Sequence, residues 1–200
     1  MENSAATRKI VEASWQAVAK AGVRKFRVSD VAAAAGVSVG LVYYHFESRN
    51  GLLKATMEFA NEITPGAGAG AGAVGSGSGS GSGTGFERLE ALLLADFDGT
   101  ERAHDNAVVW HELVGVAVFE EEIRDQVGVT LAKWRDAVAD AVSEGQRDGS
   151  IRAGIDAARA ARSVTALADG LLSGIVVGSS SWDEARDALR AALERLLRAE

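Results

Sequence analysis

Two hundred residues and 20.8 kDa make one or two small domains, with 47% hydrophobic residues to build a core, no apolar run near the ~18 residues of a membrane span, and an N-terminal stretch that reads as a charged amphipathic helix, so a cytoplasmic protein without a signal peptide or membrane association is expected. The absence of cysteine excludes disulfides, thiolate metal sites and thiol nucleophiles, and three histidines (His45, His104 and His111) argue against a multi-histidine metal centre. The net charge of −7 looks wrong for a polyanion binder until it is divided: residues 1–60 hold eight Lys/Arg against five Asp/Glu, the remainder thirteen against twenty-three, a cationic first third on an anionic body.

In chain order, Ser4 or Thr7 is expected to cap a helix running to about Ala21, with Ile10, Ser14, Ala17 and Val18 on one side and Gly22 closing it. Ser29 is expected to cap a short helix from Asp30 to Ala35, ended by Gly36, and Ser38 to cap another from Val39 to Phe46. A fourth helix is expected from Arg49 to Ile63, with Pro65 ending it. Residues 66–85 contain ten glycines among Ala and Ser, a composition that behaves as a flexible coil with a reach of about 25 Å. Beyond it, Phe86, Leu89, Leu93 and Phe97 keep helical spacing, as do Trp110, Leu113, Val114 and Ala117. The series Ile123, Val127, Leu131, Trp134, Val138 and Val142 predicts a long amphipathic helix ended by Gly145 and Gly149. Two more helices are expected, Asp156 to Val177 and from Trp182 onward, and no alternating strand pattern is found. The predicted fold is all-α.

Residues 29–46, SDVAAAAGVSVGLVYYHF, carry the most information. Two short capped helices around a turn that begins at glycine make a helix-turn-helix. Ala32, Ala33, Ala34 and Ala35 are small enough for a close crossing, Val31, Val37 and Val42 supply its apolar contacts, and Gly40 leaves room for another backbone to approach. Ser38, Val39, Leu41, Tyr44 and His45 would then face a partner. Any pair of crossing helices would share this spacing. The longer span, RKIVEASWQAVAKAGVRKFRVSDVAAAAGVSVGLVYYHFESRNGLL (residues 8–53), resembles the N-terminal DNA-binding domain of the TetR family of transcriptional regulators. The matching features are Ile10, Ala13, Gly22, Val28, Val31-Ala32, Gly36-Val37-Ser38, Gly40, Tyr43, His45-Phe46 and Leu52-Leu53.

The resemblance implies roles residue by residue. Ser29 and Ser38 would bind phosphate at helix N-termini. Tyr43 would pack into the domain and reach phosphate with its hydroxyl, or serve the core alone. Tyr44 and His45 would touch backbone or base edges, unless His45 caps the following turn. Arg49 and Lys54 would clamp phosphate, with weaker contributions from Arg24, Lys25, Arg27, Arg8 and Lys9. The family commonly has Lys-Glu where this chain has Arg49-Asn50, which keeps the positive charge. Val39 and Leu41 stand where polar residues are frequent; an aliphatic pair can meet a thymine methyl but cannot bond guanine, which shifts weight to backbone and shape.

The stretch WHELVGVAVFEEEIRDQV, the SEGQRDGSIRAG turn and LADGLLSGIVVG resemble the betaine-regulator type of C-terminal domain within the same family. That resemblance implies dimerisation through the last two helices, with Gly170, Gly174 and Gly178 spaced by four on one face and Trp182, Leu189, Leu193 and Leu196 on the other helix; close packing within one subunit is the competing account. Trp110, His111, Phe119 and Trp134 are the candidates for an effector pocket, Glu112 and Asp169 for a cationic ligand, although each also suits an ordinary helical position. Two other patterns compete. Gly70-Ala71-Gly72-Ala73-Val74-Gly75 fits a dinucleotide fingerprint but has no strand before it or helix after it. Asp96-Phe97-Asp98-Gly99-Thr100 resembles the nucleophile motif of haloacid-dehalogenase-type phosphatases, which requires Asp96 at a strand end and magnesium; its bland counterpart is a helix end followed by an Asp-Gly turn.

The expectation is therefore a non-enzymatic, all-α regulator without cofactor or metal. Residues 1–46 carry the helix-turn-helix, 47–64 the connecting helix, 65–85 the linker, and 86–200 the effector-binding and dimerisation domain. Its partners are expected to be a double-stranded DNA operator, a small-molecule effector and a second copy of itself, in a repressor released by the effector. An activator, an effector-independent regulator, or a magnesium-dependent phosphatase using Asp96 and Asp98 are the alternatives.

Overall fold

The structure, a computed structural model, describes residues 2–63 and 83–199. Most of the glycine-rich tract, and with it the Gly70–Gly75 pattern, lies outside those residues. Among the described residues there are nine α-helices and no strand beyond one isolated antiparallel bridge between Ile151 and Arg198. The helices are α1 (Glu2–Ala21), α2 (Val28–Ala35), α3 (Val39–Phe46), α4 (Arg49–Ile63), α5 (Gly85–Leu94), α6 (Glu101–Ala117), α7 (Glu121–Asp148), α8 (Ala157–Val176) and α9 (Trp182–Leu197). No described helix is long and apolar enough to cross a membrane. The fold is all-α, and it divides into two compact units: 2–63 with 105–129, and 83–104 with 130–199.

In the first unit α1 packs against α2 and α4, and α3 packs against both α2 and α4. Ile10, Val18, Val31, Val42, Leu52, Leu53, Met57, Val109, Leu113 and Ile123 have essentially no exposure, each burial contributing about 1.5–3 kcal/mol. One polar pair crosses this core. The Thr56 hydroxyl donates to the Leu52 carbonyl at 2.8 Å, so the 2.5 Å contact with Ser14 is a bond that Ser14 donates to Thr56. The Trp15 indole N–H donates to Asn106 at 3.2 Å, tying α1 to α6.

Several expected boundaries move. Helix α1 starts at Glu2, ahead of both proposed caps, because the alanines at 5 and 6 are good helix formers that extend it. Ser29 does not cap α2. The extended residue is Arg27, and the buried Val28 is already helical, so Ser29 lies exposed in the first turn with its hydroxyl 3.3 Å from Asp30. Gly36 does end α2, in a Schellman motif: Val37 N–H reaches the Ala32 carbonyl at 2.9 Å and Gly36 N–H the Ala33 carbonyl at 3.2 Å, with φ 69° at Gly36. Of the four alanines only Ala32 is fully buried; Ala33 and Ala34 are exposed.

In the second unit α5 packs on α9, and α8 on α9, around Phe86, Leu89, Leu93, Phe97, Val138, Val142, Ile151, Val164, Leu189, Leu193 and Leu197. Helix α5 begins one residue earlier than its apolar spacing indicates. Thr84 and Glu87 form a capping box, and Gly85 lies on α7 so closely that a Cβ would stand 2.4 Å from the Gly145 backbone. Gly145 does not end α7; the helix continues to Asp148, and Gly149, at φ 80°, ends it. The Asp96–Thr100 motif is not at a strand end. Ala95–Phe97 is a single 3₁₀ turn, and Asp98 accepts from the Thr100 amide and hydroxyl at 2.8 and 2.7 Å, starting α6.

The interface residues also need reassignment. Gly178 is not on the face of Gly170 and Gly174, because α8 has ended: Gly178, at φ 74°, and Ser179 close a Schellman motif on Ile175 and Gly174. A Cβ on Gly174 would stand 3.2 Å from the Ser180 hydroxyl, so this glycine serves the chain's own turn. Leu189 and Leu193 are 0% and 1% exposed inside the unit and belong to its core. Gly170 is exposed with nothing near it, Leu196 is 46% exposed, and Trp182 is half-buried beneath Gly99.

Candidate nucleic-acid interface

Helix α3 is short, and its position is fixed from both ends. Ser38, in extended conformation, accepts the Leu41 amide on its hydroxyl at 3.1 Å, as its place in the sequence leads one to expect. Val42 is the buried anchor at 1% exposure. At the other end Glu47 has φ 61° and ψ −42°, and Ser48 N–H bonds the Phe46 carbonyl at 2.6 Å. That is a γ-turn of the rare positive-φ kind. Ser48 then accepts the Gly51 amide at 2.9 Å to start α4. Any side chain on Gly51 would strike the Phe46 carbonyl, 2.0 Å from where Cβ would lie, so α3 and α4 meet at a corner that only glycine permits.

Opposite Val42, the helix presents an exposed surface. Val39 is 39% exposed, Tyr43 45% and Tyr44 75%, with Leu41 and His45 half-buried beside them. Tyr43 is thus not packed away as a core residue. The His45 ring stands edge-on to Tyr44 at 5.3 Å, and its Nε2 is buried without a partner, so His45 does not cap the following turn. Gly40 lies exposed in the first turn of α3, and among the described residues no other backbone approaches it. Ser29, Ser38 and the α3 residues share the helix-turn-helix; Arg49 and Lys54 are placed differently. Arg49 donates to the Val23 carbonyl at 2.9 Å and lies 5.6 Å over the Phe26 ring, while Lys54 lies 3.9 Å from Glu122 at the start of α7, both partly exposed. Those contacts engage the two cations with the chain itself.

The aromatic residues proposed for a pocket do not collect at one place within either unit. Phe119 is 86% exposed on the α6–α7 turn, where Phe119 and Glu120 amides bond the Val116 carbonyl. Trp134 is buried and belongs to the second unit. His111 donates its Nδ1–H to the Ala107 carbonyl at 2.7 Å and, with Glu112, Val116, Phe119, Arg24 and Arg49, lines an open cleft of about 450 Å³ in the first unit. Trp110, half-buried, is not among its walls. Glu112 was the feature that periodicity could not place: its carboxylate accepts the Val23 amide at 2.7 Å across 89 residues of sequence.

Two family models match. That for bacterial regulatory proteins of the tetR family spans residues 10–56, and that for the C-terminal part of BetI-type transcriptional repressors spans 86–198. A solved structure from Rhodococcus sp. assigned to TetR-family regulators is 33% identical over 98% of this chain and 99% of its own, with a TM-score of 0.84. The chain belongs to the TetR family of transcriptional regulators. The HTH-type transcriptional regulator BetI of Escherichia coli is 26% identical over 52% of the chain, and the chain spans between about a quarter and a half of the length of the curated relatives it matches, 50% for this one. A transcriptional regulator of Saccharomonospora viridis, solved in complex with choline, shares the fold at a TM-score of 0.83 and 24% identity, covering 98% of this chain and all of that one. Helices α2 and α3, with the exposed side of α3, lie inside the span matched by the tetR-family model.

Proposed function

We propose that this regulator is a homodimeric repressor that binds an operator through α3 and leaves it when a small molecule binds. The observation that carries the reading is an aromatic and aliphatic surface, Val39, Tyr43 and Tyr44 exposed with Leu41 half-buried among them, on a helix whose two ends are fixed within the chain. Ser38 and the free amides of the first turn of α3 suit phosphate, Tyr43 and Tyr44 suit backbone and base edges, and Val39 and Leu41 suit thymine methyls. Ser29 contributes from the first turn of α2. Dimerisation uses exposed small and apolar residues of α8 and α9, including Ala166, Gly170, Ala188 and Leu196; residues four apart share a helix face. The domain division at 46, 64 and 85 follows the same reading, with residues 86–200 carrying effector binding. Arg49 contributes to DNA binding chiefly by holding the reading head together.

The test is random-site selection on purified protein, followed by fluorescence anisotropy of the selected duplex at ~0.15 M salt with excess unrelated DNA. Binding that survives the competitor supports a sequence-specific regulator; binding lost to it removes the operator from the proposal. Choline, the compound bound in the S. viridis regulator, is the first effector to add, and release of the duplex by choline or by another compound identifies the ligand class. Tyr44→Ala should weaken the selected duplex and leave the dimer intact.

A further inference from the structure

We propose that Glu112 is a positioning residue for DNA recognition: one carboxylate on α6 sets the orientation of the reading head. The inference rests on the DNA-binding reading above and concerns how the head is aimed. Val23 is the centre of the arrangement. Its amide donates to Glu112 Oε2 at 2.7 Å, its carbonyl accepts from Arg49 Nη2 at 2.9 Å, and its side chain is 2% exposed. A single residue is thus held by α6 on one face of its backbone and by α4 on the other. Gly22 makes the approach possible. At φ 73° it occupies a conformation that other residues rarely adopt, and a Cβ there would stand 2.8 Å from Glu112 Oε2, so the carboxylate occupies the place of the missing side chain.

The consequences follow the chain. The clamped turn, Val23–Lys25, runs through Phe26, which is buried beneath the Arg49 guanidinium, to Arg27, the residue before α2. Helices α2 and α3 are joined by a single Schellman turn. Fixing Val23 therefore fixes where α3 points relative to α6, and a displacement of α6 draws on that bond first. A hydrogen bond to a carboxylate is about twice as strong as a neutral one, and its loss leaves a half-buried amide unpaired.

The test uses the full-length protein with Glu112→Leu, Glu112→Gln and Gly22→Ala. Two quantities are read: hydrogen exchange of the Val23 amide by NMR, and anisotropy on the selected duplex and on an unrelated duplex. Glu112→Gln keeps an acceptor oxygen but not the charge, and is expected to fall between the parent and Glu112→Leu in both readouts. In Glu112→Leu the Val23 amide should exchange on the order of tenfold faster, and affinity for the selected duplex should fall by on the order of tenfold, while α4 amides and binding to unrelated DNA are unchanged. Gly22→Ala should do the same, and the double variant should be no worse than either single one, since both open one bond. Val23 exchange that stays at the parent's rate overturns the proposal. So does faster exchange with undiminished affinity for the selected duplex, or equal loss on both duplexes with general loss of amide protection, which is a stability effect. A parent protein for which no duplex can be selected overturns the DNA-binding reading itself, and is told apart because no variant is needed to see it.

Discussion

At Gly40 an added methyl group would meet nothing nearer than the Ser38 hydroxyl at 3.8 Å, so the chain's own packing does not require glycine there. A helical glycine is unfavourable by up to about 1 kcal/mol relative to alanine. Gly40→Ala is therefore expected to leave the melting temperature unchanged or raise it, while weakening the selected duplex, because the methyl stands on the surface that a phosphate backbone would approach. Equal affinity in both proteins would show that DNA does not come close at this point. Glu47 presents the opposite case. It is the one non-glycine residue with positive φ among the described residues, and it is exposed. Glu47→Gly should relieve about 1 kcal/mol of backbone strain, visible as a higher melting temperature with the helix content unchanged. Ser38 and Gly36 were legible in the sequence because a cap and a Schellman turn are built from atoms within a few residues. The bond from Glu112 to Val23 was not, since nothing local to either residue encodes a contact across 89 positions. Ser29 misled for a related reason: it is a good capping residue two positions too late, and the burial of Val28, a tertiary matter, set where α2 begins.

At the scale of elements, the start of α5 depends on Asp148. One carboxylate oxygen accepts the Ser150 hydroxyl and amide at 2.6 and 3.0 Å; the other accepts the Gly85 amide at 2.5 Å. These bonds, those from Ser150 foremost, hold the Asp148 carboxyl below its ordinary 3.8, with Arg88 contributing charge. A depressed carboxyl stabilises the fold above its unfolded value, and the contribution is lost as pH falls through the lower folded value. Asp148→Asn should accordingly melt below the parent at pH 7, with the gap closing as pH falls below the ordinary 3.8 and through the lowered folded value. A gap of the same size at both pH values would mean that the amide disturbs packing rather than charge. Glu184 is lowered in the same direction by the Ser181 amide and hydroxyl at the start of α9, so the parent alone should also lose stability in this acid range. The pattern Thr84-x-x-Glu87 announces this helix start in the sequence; it was obscured by the glycine run before it. Gly145 misled as a helix end because glycine has two uses. Here it admits Ile151, whose Cδ1 would be 2.5 Å from a Cβ on residue 145, and periodicity does not distinguish a packing glycine from a terminating one.

For the whole molecule, a head with surplus positive charge is carried on an anionic remainder. At ~0.15 M salt the Debye length is about 8 Å, so distant acidic groups do not cancel attraction at the surface of α3. One head of this size can contact only a few phosphates, and the proposed dimer would double that number. In the proposed dimer each subunit presents one α3, and two-fold helix-turn-helix proteins read half-sites about 34–36 Å apart, one turn of duplex. Inserting five base pairs between the half-sites turns the second to roughly the opposite side of the DNA. Affinity should then fall to that of an isolated half-site, and the slope of log K against log salt, about −0.9 per phosphate contact, should drop to about half. A ten-base-pair insertion restores the face but not the distance, and should restore neither quantity if the two heads are held rigidly. Unchanged affinity and slope for both insertions would mean that a single head accounts for all the binding, and the homodimeric part of the proposal would fall while the recognition surface on α3 stood.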